Sequence, residues 1–152
     1  MPTRKASAQW SGGLRTGQGS FLSASAAHKT GTMRRAAIAG AYNFSSRFEE
    51  APGTNPEELI AAAEAACYTM TLCAALESAG KPVSSVQTEA DCTIEDVPEV
   101  GYTITHLRLT VRALVPGLDV ESFARAAEIT RARCTVSRAL AGVLIDLDAA
   151  LA

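Results

Sequence analysis

The stretch Gly53-Thr54-Asn55-Pro56-Glu57-Glu58-Leu59-Ile60-Ala61-Ala62-Ala63-Glu64-Ala65-Ala66-Cys67 opens the longest regular element legible in the chain. Pro52-Gly53 ends whatever precedes it. Asn55 suits a helix N-cap, Pro56 suits the first helical position, and Glu57 and Glu58 complement the positive end of the helix dipole. Ala, Leu and Met then dominate, with one charge, Glu64, between Glu58 and Glu77, until Gly80-Lys81-Pro82 stops the run. The pattern predicts a buried helix over 55–80.

Working outward, residues 83–97 and 102–115 predict two long strands joined as a hairpin near Pro98-Glu99-Val100-Gly101. In the second, Thr105, Leu107, Leu109 and Val111 alternate with Ile104, His106, Arg108 and Thr110. Pro116-Gly117 turns the chain into a helix capped by Asp119 and running to about Arg133; a short helical turn at 137–141 then leads to a last strand at 143–148. On the N-terminal side, residues 10–25 read as two short strands joined around Gly17, and 26–40 as a loop or extended connection. Residues 41–49 alternate as a strand with Tyr42, Phe44, Ser46 and Phe48 on one face, so that Arg47 points away from the aromatics. The order βββ–α–ββ–α–β, with strands clustered, places the chain in the α+β class as a single domain, 1–152, whose residues 1–9 are flexible.

At 152 residues this is about one domain, large enough to bury roughly two-thirds of its unfolded surface without a disulfide or metal staple. A net charge of −2 argues against nucleic acid as the main partner. No apolar stretch reads as approaching the roughly 18 residues that span a bilayer, so no membrane role is expected. Four cysteines without dense spacing fit a reducing cytoplasm. Residues 1–48 carry seven basic side chains and no acidic one. Acid-poor starts occur in transit peptides, but Gly12-Gly13 and Gly17-Gln18-Gly19 interrupt any amphipathic helix here. A basic face complementing an acidic remainder is the preferred reading.

Cys67 and Cys134 lie 67 positions apart, and neither belongs to a CxxC pair, so neither looks like half of a zinc site or a thioredoxin-type motif. Two readings stay open: buried structural cysteines, or a nucleophilic thiol and its distant partner. Three segments bear on the choice. Ser46-Arg47-Phe48-Glu49, the Gly53–Cys67 string and Cys134-Thr135-Val136-Ser137 together resemble the OsmC/Ohr family of thiol peroxidases, and among them the OsmC branch, across most of residues 10–150. The resemblance implies a peroxidatic Cys67, a resolving Cys134 and an assisting pair, Arg47 and Glu57. It implies the OsmC-like fold, an intertwined homodimer with antiparallel sheets wrapped around long central helices. It further implies organic hydroperoxides and hydrogen peroxide as substrates, no bound cofactor, and a dithiol reductant such as the dihydrolipoyl groups of a partner protein.

The chain departs from the family pattern at Glu64, where a non-acidic residue is common, and at Thr135, where proline commonly follows the resolving cysteine. The segment between Ser25 and Tyr42 is longer than usual. Cys73 and Cys92 match nothing in the motif; Cys73 reads as core, and Cys92, in mid-strand, as core or a partly exposed spectator. Arg15, in Gly13-Leu14-Arg15-Thr16-Gly17, competes with Arg47, because the Ohr branch draws its arginine from a more N-terminal position. His28 and His106 suggest no site.

The chemistry explains these residue types. A thiolate attacks one peroxide oxygen and the other leaves as alcohol or water, but a free thiol with a pKa near ~8.5 is only a few per cent ionised at neutral pH. Arginine serves better than lysine because it stays charged and its fork can hold a carboxylate and the peroxide together. The sulfenic acid then condenses with a second thiol. Glu57 precedes Cys67 by ten residues, which is about 15 Å of helix rise. If the two share a site, they come from antiparallel copies of the helix in two chains, crossing near Ala61-Ala62-Ala63. The alternative function is a non-catalytic module of the same fold that binds a small hydrophobic ligand in the dimer cleft; two retained thiols favour the enzyme.

Overall fold

The computed structural model describes residues 5–24 and 38–152, and the chain forms two compact units, 1–56 and 57–152. In the first, β1 (Lys5–Ser11), β2 (Gln18–Ala24) and β3 (Ile38–Asn43) make an antiparallel sheet in that order. The register sets Gly19 between Trp10 and Tyr42. Those rings lie 5.5 Å apart, and a Cβ on Gly19 would stand 2.5 Å from the Tyr42 ring, so only glycine fits beneath them. Residues 5–9, expected to be flexible, are already strand; residues 1–4, His28 and most of the expected 26–40 connection lie outside the described residues.

The strand expected at 41–49 requires correction. β3 stops at Asn43, and Phe44–Phe48 form a short helix, α1. The Ser46 N–H donates to Asn43 Oδ1 (2.8 Å) while the Asn43 N–H donates to Ser46 Oγ (2.9 Å), a reciprocal capping box. These local bonds outcompete the strand-like alternation of the aromatics. Arg47 therefore does not point away from the rings: its guanidinium lies 5.0 Å from the centroid of Phe48.

The second unit holds α2 (Pro56–Ser78, beginning on the last residue of the first unit), β4 (Ser85–Val97), β5 (Gly101–Leu114), α3 (Val120–Arg133), α4 (Thr135–Ala139) and β6 (Leu144–Leu151). Its sheet has the order β4-β5-β6. The β4–β5 hairpin is antiparallel, and β6 lies parallel to β5. The sheet is thus mixed, because α3 and α4 form the crossover that a parallel neighbour requires. The helix boundaries follow the sequence signals. Pro56 is the first residue of α2, and the Lys81 N–H returns to the Leu76 carbonyl (2.9 Å) past Gly80 at φ 72°. The Asp119 side chain accepts the Ser122 N–H (2.8 Å) at the start of α3.

The core gathers Tyr68, Leu72 and Leu76 from α2, Leu109, Val111 and Ala113 from β5, Val115, Phe123 from α3, and Cys134. Every second residue of β5 from Leu107 to Ala113 is buried, as its alternation predicts. Each fully buried leucine contributes roughly 1.5–3 kcal/mol. The Tyr68 hydroxyl donates to the Ala127 carbonyl (2.9 Å), tying α2 to α3.

Two expectations about α2 change. The helix is not buried all round: Glu57, Ala61, Glu64, Tyr68, Leu72 and Leu76 turn inward, while Ala62, Ala63, Ala66, Met70 and Ala74 are exposed. It is also long and apolar enough, by length and composition, to cross a membrane, with a mean hydropathy of 1.6. Its isolated glutamates interrupt what would otherwise read as an unbroken apolar run. The architecture is α+β.

Candidate active site

Cys134 closes one helix and opens the next. Its N–H donates to the Thr130 carbonyl (2.8 Å), its own carbonyl accepts the Arg138 N–H (3.0 Å), and its backbone, at φ −55° and ψ 129°, turns the chain between α3 and α4. That turn aims the first N–H groups of α4, those of Thr135 and Val136, at the thiol of Cys67 on α2. The Cys134 thiol, fully buried, lies within hydrogen-bonding reach of the same sulfur.

The two thiols are electrostatically unequal. Burial pushes Cys67 up, but hydrogen bonds from Cys134 and from the Val136 and Thr135 N–H groups outweigh it, so its pKa falls below the ordinary thiol value. Thr71, one turn along α2, donates to the Cys67 carbonyl (2.8 Å). For Cys134 burial dominates, with the accompanying Cys67 thiol adding to it, and the Ser137 N–H does not compensate; its pKa is raised. Burial also raises Cys73, helped by Glu77, and Cys92, helped by Glu57. All four cysteines are free, and Cys67 alone is shifted toward thiolate.

Behind Cys134 sits a buried polar pair. The Ser137 hydroxyl donates to Glu64 Oε1, and Glu64 is fully buried. The acidic side chain one turn before Cys67 is therefore engaged by α4. Glu57, 6% exposed in the first turn of α2, stands nearly three turns from Cys67 on one continuous helix and within electrostatic reach of Cys92.

Both candidate arginines belong to the first unit, on one aromatic patch. Arg15 lies 4.7 Å over Phe44, Arg47 lies 5.0 Å over Phe48, and the two rings are 4.9 Å apart. Arg47 lines a recess of about 210 Å³ with Trp10, Leu14, Tyr42, Phe44 and Phe48. In the second unit His106 contacts Asp146 (2.9 Å) on the exposed sheet face. Sequence reasoning missed Thr71, Val136 and Ser137 as site residues. For Thr71 and Ser137 the signals were spacings, a hydroxyl four residues after Cys67 and another three after Cys134; Val136, which acts through its backbone N–H, offered none.

The profile of the OsmC-like protein family matches residues 48–148. The chain belongs to the OsmC family. The match begins one residue after Arg47. Peroxiredoxin OsmC of Escherichia coli (strain K12) is 36% identical over 137 residues, covering 90% of this chain and 89% of that protein. Among solved structures, the OsmC-like protein of Mycoplasma pneumoniae superposes with a TM-score of 0.72 at 12% identity, over 99% of this chain and 97% of that one. The organic hydroperoxide resistance protein OhrB of Bacillus subtilis gives 0.66 at 22% identity, over 99% and 98%. The chain thus has the OsmC-like fold that the resemblance of its motifs led one to expect.

Proposed function

We propose that this OsmC-family protein is a cysteine-based peroxidase in which Cys67 attacks the peroxide and Cys134 resolves the product. The observation that carries the reading is the contact between a pKa-lowered Cys67 and a buried Cys134, with the Thr135 and Val136 N–H groups aimed at the first sulfur. The name of the Escherichia coli relative, a peroxiredoxin, supports the same chemistry. The Cys67 thiolate attacks one peroxide oxygen, the O–O bond breaks, and the second oxygen leaves with a proton as alcohol or water. Cys67 is now a sulfenic acid; the Cys134 sulfur displaces its hydroxyl as water and a disulfide forms. A dithiol, such as dihydrolipoyl groups on a partner protein, returns both thiols. Organic hydroperoxides and hydrogen peroxide are the substrates, Arg47 and Glu57 assist, and the protein works in the cytoplasm as a homodimer, with 1–152 acting as one domain.

One equivalent of hydroperoxide should remove two free thiols. Cys67→Ser should abolish consumption, and Cys134→Ser should stall at sulfenic acid after one turnover; sustained turnover by Cys67→Ser would sink the assignment. Arg47→Ala should slow sulfenic acid formation by at least ~100-fold, about 2.7 kcal/mol. A silent Arg47→Ala beside a crippling Arg15→Ala would move the arginine's role to Arg15.

A further inference from the structure

Two pairs of residues link α2 to the short helix α4. The Ser137 hydroxyl donates to Glu64 Oε1, and Cys67 packs on the core cluster that contains Cys134. Glu64 and Cys67 are three residues apart on α2, and Cys134 and Ser137 are three apart at the start of α4. Residues at that spacing share a helix face. The two links are therefore neighbouring rungs, with α2 and α4 running antiparallel between them.

α4 depends on tertiary contacts for its place. It has five residues, its N-cap makes no side-chain hydrogen bond, and Ser137 is its buried residue; a helix this short is not stable alone. The α3 side of the corner is fixed separately, by the Cys134 N–H on the Thr130 carbonyl (2.8 Å) and by Tyr68 of α2 on the Ala127 carbonyl (2.9 Å). With its nitrogen held, rotation of Cys134 about N–Cα would swing Cβ and the carbonyl carbon together. Holding α4 therefore fixes where the thiol points. Glu64 is fully buried, and its Oε2 has no hydrogen-bond partner, so for stability alone an apolar residue would serve better there.

We propose that the Glu64–Ser137 tie holds Cys134 on Cys67 and thereby decides the fate of the oxidised thiol. A Cys67 sulfenic acid has two exits. In one, Cys134 attacks it, the S–O bond breaks, the S–S bond forms, and the thiol proton leaves with the hydroxide as water. In the other, a second hydroperoxide gives one oxygen to the sulfur and leaves as alcohol, and the sulfinic acid formed is not recovered by a dithiol. The first exit depends on reach, the second on peroxide concentration. Glu64 and Ser137 act through the placement of α4 and are positioning residues.

The inference rests on the peroxidase reading, and its test reads the partition between the exits, which does not depend on how fast sulfenic acid forms. Parent, Ser137→Ala, Glu64→Met and the double variant are treated with rising hydroperoxide, and the mass of the Cys67 peptide reports disulfide or sulfinic acid. In each variant the peroxide concentration that gives half sulfinic acid should fall about tenfold, the worth of one net hydrogen bond to closure. The double variant should lose no more than either single, because one tie is cut once. Glu64→Gln, whose amide can still bond the Ser137 hydroxyl, should stay within about threefold of the parent. The double variant replaces both polar partners by apolar groups and should keep or raise the urea midpoint while closure slows. If Glu64→Met does not fold, Ser137→Ala and Glu64→Gln carry the test. An unchanged partition in Ser137→Ala, additive losses in the double variant, a Glu64→Gln no better than Ser137→Ala, or a partition that falls only as stability falls overturns the tie and leaves the peroxidase standing. A parent chain that forms neither product at Cys67 overturns the peroxidase reading and the tie with it.

Discussion

Thr135 acts on the Cys67 thiol through its backbone. Where the family commonly has proline, this chain has a residue with an N–H, and that N–H is among the donors that lower Cys67. The backbone would accept proline: Thr135 is the first residue of α4, and Cys134 at φ −55° and ψ 129° has the extended form a residue before proline requires. Thr135→Pro should therefore remove one donor without breaking the turn. A lowered thiol pKa means that thiolate persists to lower pH and is lost as pH falls through that pKa. In the variant this loss should occur at higher pH, and alkylation of Cys67 at neutral pH should slow about three- to tenfold, the worth of one such hydrogen bond. The pH–rate profile of iodoacetamide labelling measures it; an unchanged profile would mean that the other donors carry the shift. None of this was visible in the sequence. Cys67 and Cys134 are 67 positions apart, so only the family motif joined them, and no motif speaks for a backbone N–H.

At the scale of elements, sequence legibility followed the strength of local signals. Asp119, Pro56 and Gly80 set helix ends that the fold respects, and the alternation of β5 named its buried face. Residues 42–48 misled because period-two aromatics coincide with a local Asn43–Ser46 capping box, and two short-range bonds decided the contest. The outer face of α2 stayed hidden because alanines on both sides give no contrast between inside and outside. The parallel placement of β6 depends on a crossover whose path no single segment encodes. The α2–α3 tie is open to direct measurement. Tyr68→Phe deletes the buried hydroxyl that reaches Ala127, keeps the ring, and should destabilise by about 0.5–1.5 kcal/mol, read from the urea midpoint at constant slope. A loss several times larger would mean that the ring itself shifts.

At the scale of the whole molecule, α2 presents Ala62, Ala66, Met70 and Ala74 as an exposed stripe at four-residue spacing, with Met70 75% exposed. Small side chains on such a stripe let two helices approach to about 8–10 Å. Ala62 is also midway between Glu57 and Cys67, so an antiparallel pair crossing there would set each Cys67 level with the partner's Glu57. Ala61, which the sequence placed at the crossing, is instead turned inward, and this narrows the proposed contact to Ala62 and Ala63. Within one chain Glu57 is buried and near Cys92, so a role for it at Cys67 requires the second copy. Mixing Glu57→Ala with Cys67→Ser chains tests this. Each heterodimer would hold one site with both groups intact and one with neither, and its activity should recover to roughly half of wild type, above either parent homodimer. A fully active monomer in sedimentation removes the shared site. A heterodimer no better than its parents leaves Glu57 as a partner of the helix dipole.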